Sequence, residues 1–211
     1  MADIMERIAE ALIIGKIDEV GTLSQEALDN GATPEEVMSK GLFAGMDVVS
    51  TKFKNQDMFI PEVLRSAKAM HAGMDVLKPV LTEGADSSMS GTVVIATVEG
   101  DLHDIGKNLA AMMLEGAGFR VINLGIDQKA KDIVKAVKEN NPKILGLSAL
   151  LTTTMPRMPE VIEALKQEGI RDQVKVIIGG APVTQEFADE IGADAYAANA
   201  ALGADKAKEL L

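Results

Sequence analysis

The 211-residue chain has no cysteine, no tryptophan and a single tyrosine. Without thiols, disulfides, thiolate metal sites and cysteine nucleophiles are all excluded. Aromatic residues make up 3% of the chain, which leaves almost no stacking platform for single-stranded nucleic acid. Positive charge is also short. Lys and Arg number 21 against 32 Asp and Glu, a formal net charge of -11, so a phosphate polyanion is repelled. Of these, 15 acidic and 8 basic residues fall within residues 1–90, and that acidic half suits a basic partner surface. No apolar run approaches the ~20 residues of a membrane span. Met1 to Lys16 is amphipathic and acidic, unlike a signal peptide. The expectation is a cytoplasmic protein with neither nucleic acid nor membrane as a partner.

Hydrophobic residues at 47% and charged residues at 25% are enough for globular cores. Up to about residue 86 the period is helical, with Ile4, Ile8 and Leu12, then Val20, Leu23, Ala27 and Leu28. Thr33-Pro34-Glu35-Glu36 reads as a helix start, with Thr33 as cap, Pro34 at the first helical position and Glu36 closing a capping box. That third helix runs to about Phe53. A fourth begins near Ile60 and carries Val63, Ala67, Met70, Met74 and Leu77 on one face. Four helices with short connections predict a small bundle over residues 1–86. His71 lies off the apolar face and is expected at the surface. The Gly- and Ser-rich stretch around residues 87–91 reads as a linker and a natural hinge.

From residue 92 to 211 the pattern alternates. Short β-branched runs near Thr92–Val98, Arg120–Leu124, Lys143–Ser148, Lys175–Gly180 and Ala195–Tyr196 are separated by helical stretches. Strict β/α alternation with apolar strands predicts a parallel, doubly wound sheet of five strands, compatible with the order 2-1-3-4-5. Ligands of such sheets bind beyond the carboxyl ends of the strands. The loop after the first strand holds Asp101, His103, Asp104, Ile105 and Gly106. It lacks the glycines of a dinucleotide loop and the Lys-Ser/Thr pair of a P-loop. One imidazole with a carboxylate two residues away can supply one bond to a metal that is otherwise held, the carboxylate fixing the tautomer. Read alone, the same residues are more often a helix cap and a surface histidine than a metal site, and Lys107-Asn108 stay open between capping the helix and touching a ligand.

Asp101-x-His103-x-x-Gly106, followed by Ser148-x-Leu150 and then Gly179-Gly180, resembles the D-x-H-x-x-G … S-x-L … G-G pattern of base-off/His-on cobalamin-binding domains. The segment Phe53 and Met58 to Met70 is similar to the helical cap of cobalamin-dependent methionine synthase and of small corrinoid proteins. Nearly the whole chain is covered. The resemblance implies a four-helix cap followed by a flavodoxin-like, Rossmann-type B12-binding domain with a cobalamin cofactor cycling between methylcobalamin and Co(I).

The resemblance also assigns residues. His103 becomes the lower ligand of cobalt, and Asp101 and Thr154 form the relay behind it. In methionine synthase the last position is a serine, so Thr154 departs mildly from the pattern. Asp104, Ile105 and Gly106 join the cofactor-binding set. Ser148, Leu150, Thr152, Gly179 and Gly180 line the slot for the displaced nucleotide tail. Phe53 and Ile60 cover the upper face, and Val63 joins the cofactor-binding set.

The chain then resembles the corrinoid protein of a three-component methyltransferase system, a subunit without catalytic residues of its own. Its implied partners are a substrate:corrinoid methyltransferase, a corrinoid:tetrahydrofolate or thiol methyltransferase, and a reductive activating protein. Methanol, methylamines, betaine and methyl ethers are the donor classes, and overall likeness leans to methyl ethers, an O-demethylase setting. The competing class is a cobalamin-dependent sensor. Such sensors usually carry a DNA-binding helix-turn-helix, and no basic recognition helix is visible here.

Overall fold

The computed structural model describes residues 3–80 and 90–211. Most of the linker expected at 87–91, and the hinge placed there, lie outside the described residues. The chain divides into two compact units. Met1–Ser90 with Gly116–Gly118 form a helical unit, and Gly91–Glu115 with Phe119–Leu211 form an α/β unit.

The helical unit contains α1 (Ile4–Ile13), α2 (Ile17–Asp29), α3 (Pro34–Glu36), α4 (Ala44–Lys54) and α5 (Ile60–Leu77). A π-helical stretch, Val37–Phe43, joins α3 to α4, so residues 34–54 run as one helix and the unit counts four. The expected start is present: Glu36 N–H donates to Thr33 Oγ1 at 3.2 Å and Thr33 N–H to Glu36 Oε2 at 3.3 Å. Ile8, Leu12, Val20, Leu23, Val63, Ala67 and Met70 are buried as their spacing predicts. Met74 is only partly buried, and Gly73 takes the inner position one residue earlier. A Cβ on Gly73 would lie 2.7 Å from Leu42, so a glycine allows that side chain to close in. His71 is partly buried rather than exposed, because α5 buries a wider stripe than five apolar positions suggested.

The α/β unit runs β1 (Gly91–Thr97), α6 (Ile105–Gly116), β2 (Phe119–Asn123), α7 (Ala130–Asn140), β3 (Ile144–Ser148), α8 (Arg157–Gln167), β4 (Lys175–Gly179), α9 (Gln185–Ile191), β5 (Ala195–Ala197) and α10 (Ala200–Glu209). All pairs are parallel, as the alternation implied, and the order is β2-β1-β3-β4-β5, the one with which the alternation is compatible. Side chains alternate across a sheet. Val94, Ala96, Leu145, Leu147, Val176 and Ile178 therefore face one core, which holds Ile133, Val137, Met158, Ile162 and Leu165 from α7 and α8. The opposite face carries Val93, Ile95, Ile144, Gly146, Ile177 and Gly179, and there a cavity replaces dense packing.

The edge at β5 is fastened by Asp194. Its Oδ2 accepts from Arg171 Nη2 at 2.7 Å and Val176 N–H at 2.8 Å, and Arg171 Nη2 also reaches Gly192 O at 2.7 Å. Burial raises the Asp194 pKa, but these donors and the nearby Lys175 together outweigh it and hold the carboxyl below its usual value. The resulting stability is complete above the ordinary carboxylate range near pH 3.9 and is lost as pH falls through the lowered value. Asp194→Asn should cost about 1–2 kcal/mol at neutral pH and flatten the acid limb of the stability profile. Urea melts followed by Tyr196, the only tyrosine, from pH 7 down to pH 3 check this. A variant with an unchanged acid limb contradicts it.

Candidate functional site: a relay at the mouth of a slot

In the observed strand order, β1 sits where the connections diverge to the two sides, and β1 and β3 flank the resulting crevice. The loop after β1 fills it. Its path is fixed by backbone and side chain alike: Thr97 Oγ1 donates to His103 O at 3.0 Å, Gly100 N–H to Asp127 Oδ1 at 2.7 Å and Asp127 N–H to Asp101 O at 3.1 Å.

Asp101 is fully buried and saturated with donors. Oδ1 accepts from His103 N–H at 3.0 Å and lies 2.8 Å from His103 Nδ1. Oδ2 accepts from Leu150 N–H at 2.7 Å, Leu151 N–H at 3.3 Å and Thr154 Oγ1 at 2.7 Å. The Thr154 hydroxyl has a second acceptor, Leu151 O at 2.9 Å, and the carboxylate is the nearer. Burial pushes the Asp101 carboxyl up, but the donors from Thr154, His103 and Leu150 outweigh it and hold the pKa well below the carboxylate range. An ionised carboxylate only accepts. The hydrogen between Asp101 and His103 therefore sits on Nδ1, and Nε2 is the ring nitrogen left for a ligand. The imidazole is half exposed, at 50%. The outcome is an oriented imidazole backed by a buried anion, the arrangement that raises a histidine's basicity toward a metal.

His103 stands at the mouth of a cavity of about 590 Å3, within the range of ligand sites. The cavity descends the open face of the sheet between α6 and α10, from Ser148 to Ile144 on β3, a depth of roughly 13 Å at the strand rise. Its walls include Ala110 and Leu114 of α6 and Ala200 and Gly203 of α10. On its floor Gly146 leaves the middle of β3 without a side chain, where an added Cβ would lie 3.1 Å from Ile95. Interior-strand glycine marks close approach by another group. Gly180, at φ +135°, lets the loop after β4 pass the loop after β3, since a Cβ there would sit 1.8 Å from Ala149 O.

Most of the expected site residues meet here. His103, Asp104, Ile105, Gly106, Ser148, Leu150, Gly179 and Gly180 line the cavity, and Asp101 and Thr154 stand behind His103. Thr152 does not line it and is exposed; the turn after β3 points its side chain away. Of the helical-unit candidates, Ile60 is 42% exposed and Phe53 partly exposed, whereas Val63 is fully buried and belongs to the core. Gly146, Leu102, Lys107 and the α10 residues are additions to the expected set. The period-two face Ile144-Gly146-Ser148 was the available signal for Gly146.

A metal bound by protein groups alone does not fit. Among the described residues no cluster of three or more His, Asp and Glu can hold one. A metal carried in a macrocycle fits: one free imidazole nitrogen at a rim of exposed Leu102, Ile105 and Leu150, above a deep slot of small and apolar residues for an attached tail.

Comparison with known proteins gives the class. Family models described as "B12 binding domain" match residues 91–204 and, separately, residues 4–78. The chain belongs to the B12-binding corrinoid proteins, and its cofactor is a corrinoid of the cobalamin type. Among its relatives, "Dimethylamine corrinoid protein 1" of Methanosarcina acetivorans is 47% identical over 209 residues, 99% of this chain and 98% of that one. "Trimethylamine corrinoid protein 1" of the same organism is 46% identical over the whole of both chains. Among solved structures, the methanol:cobalamin methyltransferase complex of Methanosarcina barkeri matches with TM-score 0.89 at 34% identity, over 98% of this chain and 79% of that one. A cobalamin-binding protein of Desulfitobacterium hafniense matches with TM-score 0.81 at 36% identity over the full length of both. No described helix is long and apolar enough to cross a membrane.

Proposed function

We propose that this chain is a methyl-carrying corrinoid subunit that accepts a methyl group from a methylamine:corrinoid methyltransferase, dimethylamine being the first candidate donor, and presents it to a second methyltransferase. The carrying observation is the 2.8 Å contact of Asp101 Oδ1 with His103 Nδ1, which leaves Nε2 free at the slot mouth. When bound, the corrinoid supplies the cobalt on which a methyl group is held. The chain's own residues orient and exclude. Asp101 keeps the proton on Nδ1 and aims Nε2, Thr154 fixes Asp101, and the apolar slot keeps water from the tail. Phe53 and Ile60 are the residues we assign to covering the upper face, and a reductive activating protein completes the partner set.

Relatives named for dimethylamine and trimethylamine move the donor class from the methyl ethers toward which sequence likeness leaned to methylamines. The carrier reading also differs in outcome from that of a sensor. The chain, loaded with hydroxocobalamin, reduced and mixed with a dimethylamine-specific methyltransferase, should release monomethylamine faster than it demethylates trimethylamine, methanol or a methyl ether with their own methyltransferases. Absence of transfer from every methylamine contradicts the proposal.

A further inference from the structure

Asp101 is anchored from two sides. Its carboxylate is held on the β3 side, where Leu150 N–H, Leu151 N–H and the Thr154 hydroxyl all come from one loop. Its main chain is held on the β2 side, by Asp127. Asp127 N–H donates to Asp101 O at 3.1 Å, and Asp127 Oδ1 accepts from Gly100 N–H at 2.7 Å. One residue thus grips the His103 loop on both sides of the Gly100–Asp101 peptide bond, once as donor and once as acceptor. The loop that carries Asp127 is itself laid against the end of β1. Thr97 N–H donates to Gly125 O at 3.0 Å, Gln128 N–H donates to Thr97 O at 3.0 Å, and Val98 forms an isolated parallel bridge with Gln128. Asp127 holds this post with φ +53°, a left-handed backbone that among residues with a side chain Asn and Asp tolerate best. The next helix, α7, begins at Ala130 with no side-chain cap, so the carboxylate serves the His103 loop and not the nearby helix.

Asp127 is exposed, so water can replace a lost acceptor at Gly100 N–H and the fold has little need of the carboxylate. Water does not supply direction. A ligand group must be held to within about 0.5 Å of its working position, and His103 is held to Asp101 through its own N–H and Nδ1. A shift of the Asp101 main chain is therefore passed to the imidazole. We propose that Asp127 is a positioning residue for cobalt ligation: by fixing the Gly100–Asp101 main chain it keeps His103 Nε2 where the metal needs it. The inference rests on the ligation by His103 proposed above.

The test is a double-mutant cycle. The full-length apoprotein is titrated with hydroxocobalamin as wild type, Asp127→Gly, His103→Ala and the pair combined, with Asp127→Asn beside them. Gly removes the acceptor and relieves the left-handed backbone, whereas Asn keeps both an acceptor oxygen and tolerance of that backbone. Asp127→Gly should weaken binding by roughly 10-fold in the wild type, the lower end of the loss typical when the support behind a metal ligand is removed. In the His103→Ala background it should change binding by less than about 2-fold, as for an independent site. Asp127→Asn should stay within about 2-fold of wild type. An equal loss in both backgrounds would assign Asp127 to loop support alone and overturn the proposal. No loss in the wild type would overturn it too, as would a 10-fold loss in Asp127→Asn, which would put the effect on the charge and not on the accepted hydrogen bond. If Asp127→Gly fails to fold by circular dichroism, Asp127→Glu, which displaces the acceptor by one methylene, takes its place in the same cycle with the same outcomes. Equal affinities of wild type and His103→Ala would remove the ligand assignment itself, a result distinct from a ligand that no Asp127 variant disturbs.

Discussion

His103→Ala is expected to weaken hydroxocobalamin binding by at least ~100-fold, beyond the 10- to 100-fold typical of losing a group that only orients a metal ligand. Whatever cofactor still binds should show no histidine ligation, and added imidazole should restore part of that spectrum. The fold should tolerate the change. Asp101 would lose the Nδ1 donor but keep His103 N–H as a backbone donor, Leu150 N–H, Leu151 N–H and the Thr154 hydroxyl. Urea stability reported by Tyr196 should therefore move by less than about 1 kcal/mol. Asp101→Ala behaves differently, since it leaves the three backbone N–H donors without their acceptor while the Thr154 hydroxyl keeps Leu151 O, and it should cost about 2–4 kcal/mol in addition to weakening the cofactor. Unaltered affinity and spectrum in His103→Ala would contradict the assignment of the ligand.

The largest effect on stability is expected from Gly180→Ala. The new Cβ would meet Ala149 O at 1.8 Å and Ala149 C at 2.8 Å, and these are backbone atoms that cannot rotate away. Ala149 is itself fully buried, and its N–H donates to Gly179 O at 3.2 Å. Relief therefore requires separating the loops after β3 and β4. The backbone at φ +135° adds strain that any L side chain incurs. We expect a loss of about 3–5 kcal/mol, the upper range for one substitution, with cobalamin binding impaired because Leu150 and Leu151 move with Ala149. Gly192→Ala is the control. It also has positive φ, +74°, but nothing lies within 4 Å of its added Cβ, so only the left-handed penalty of about 1–2 kcal/mol applies. Urea melts followed by Tyr196 compare the two, and equal costs would contradict the steric account.

The parts of this fold that depend on period and on local punctuation were legible in the sequence. The five parallel strands followed from alternation, with which the observed order is compatible, and the Thr33–Glu36 capping box formed as written because its partners are three residues apart. The relay was legible as a motif, since Asp101, His103 and Gly106 share one loop. The rest was hidden for physical reasons. Leu150 and Leu151 serve Asp101 through their N–H groups, and a backbone donor leaves no residue signature. Lys107 and Asn123 meet across α6 and β2, 16 residues apart, a contact that exists only after the sheet forms. Val63 and Thr152 were assigned by alignment, which fixes position along the chain but not the direction of a side chain.

The π-helical stretch Val37–Phe43 was likewise not foreseen. Its residues have ordinary helical spacing, and the wider turn shows only in three dimensions, where an added Cβ on Gly41 would lie 3.0 Å from Ile8 of α1. Gly146 was overlooked although its face was predictable, because a glycine inside a strand carries no hydrophobic signal. Its meaning comes from what its missing side chain leaves open.

Ligation by His103 Nε2 can be read in one electron paramagnetic resonance spectrum of the chain loaded with cob(II)alamin. Protein grown with nitrogen-15 histidine and loaded with unlabelled cofactor should convert the triplet splitting of an axial nitrogen-14 ligand into a doublet. A triplet that persists after labelling would place the cofactor's own base on the metal and contradict the account.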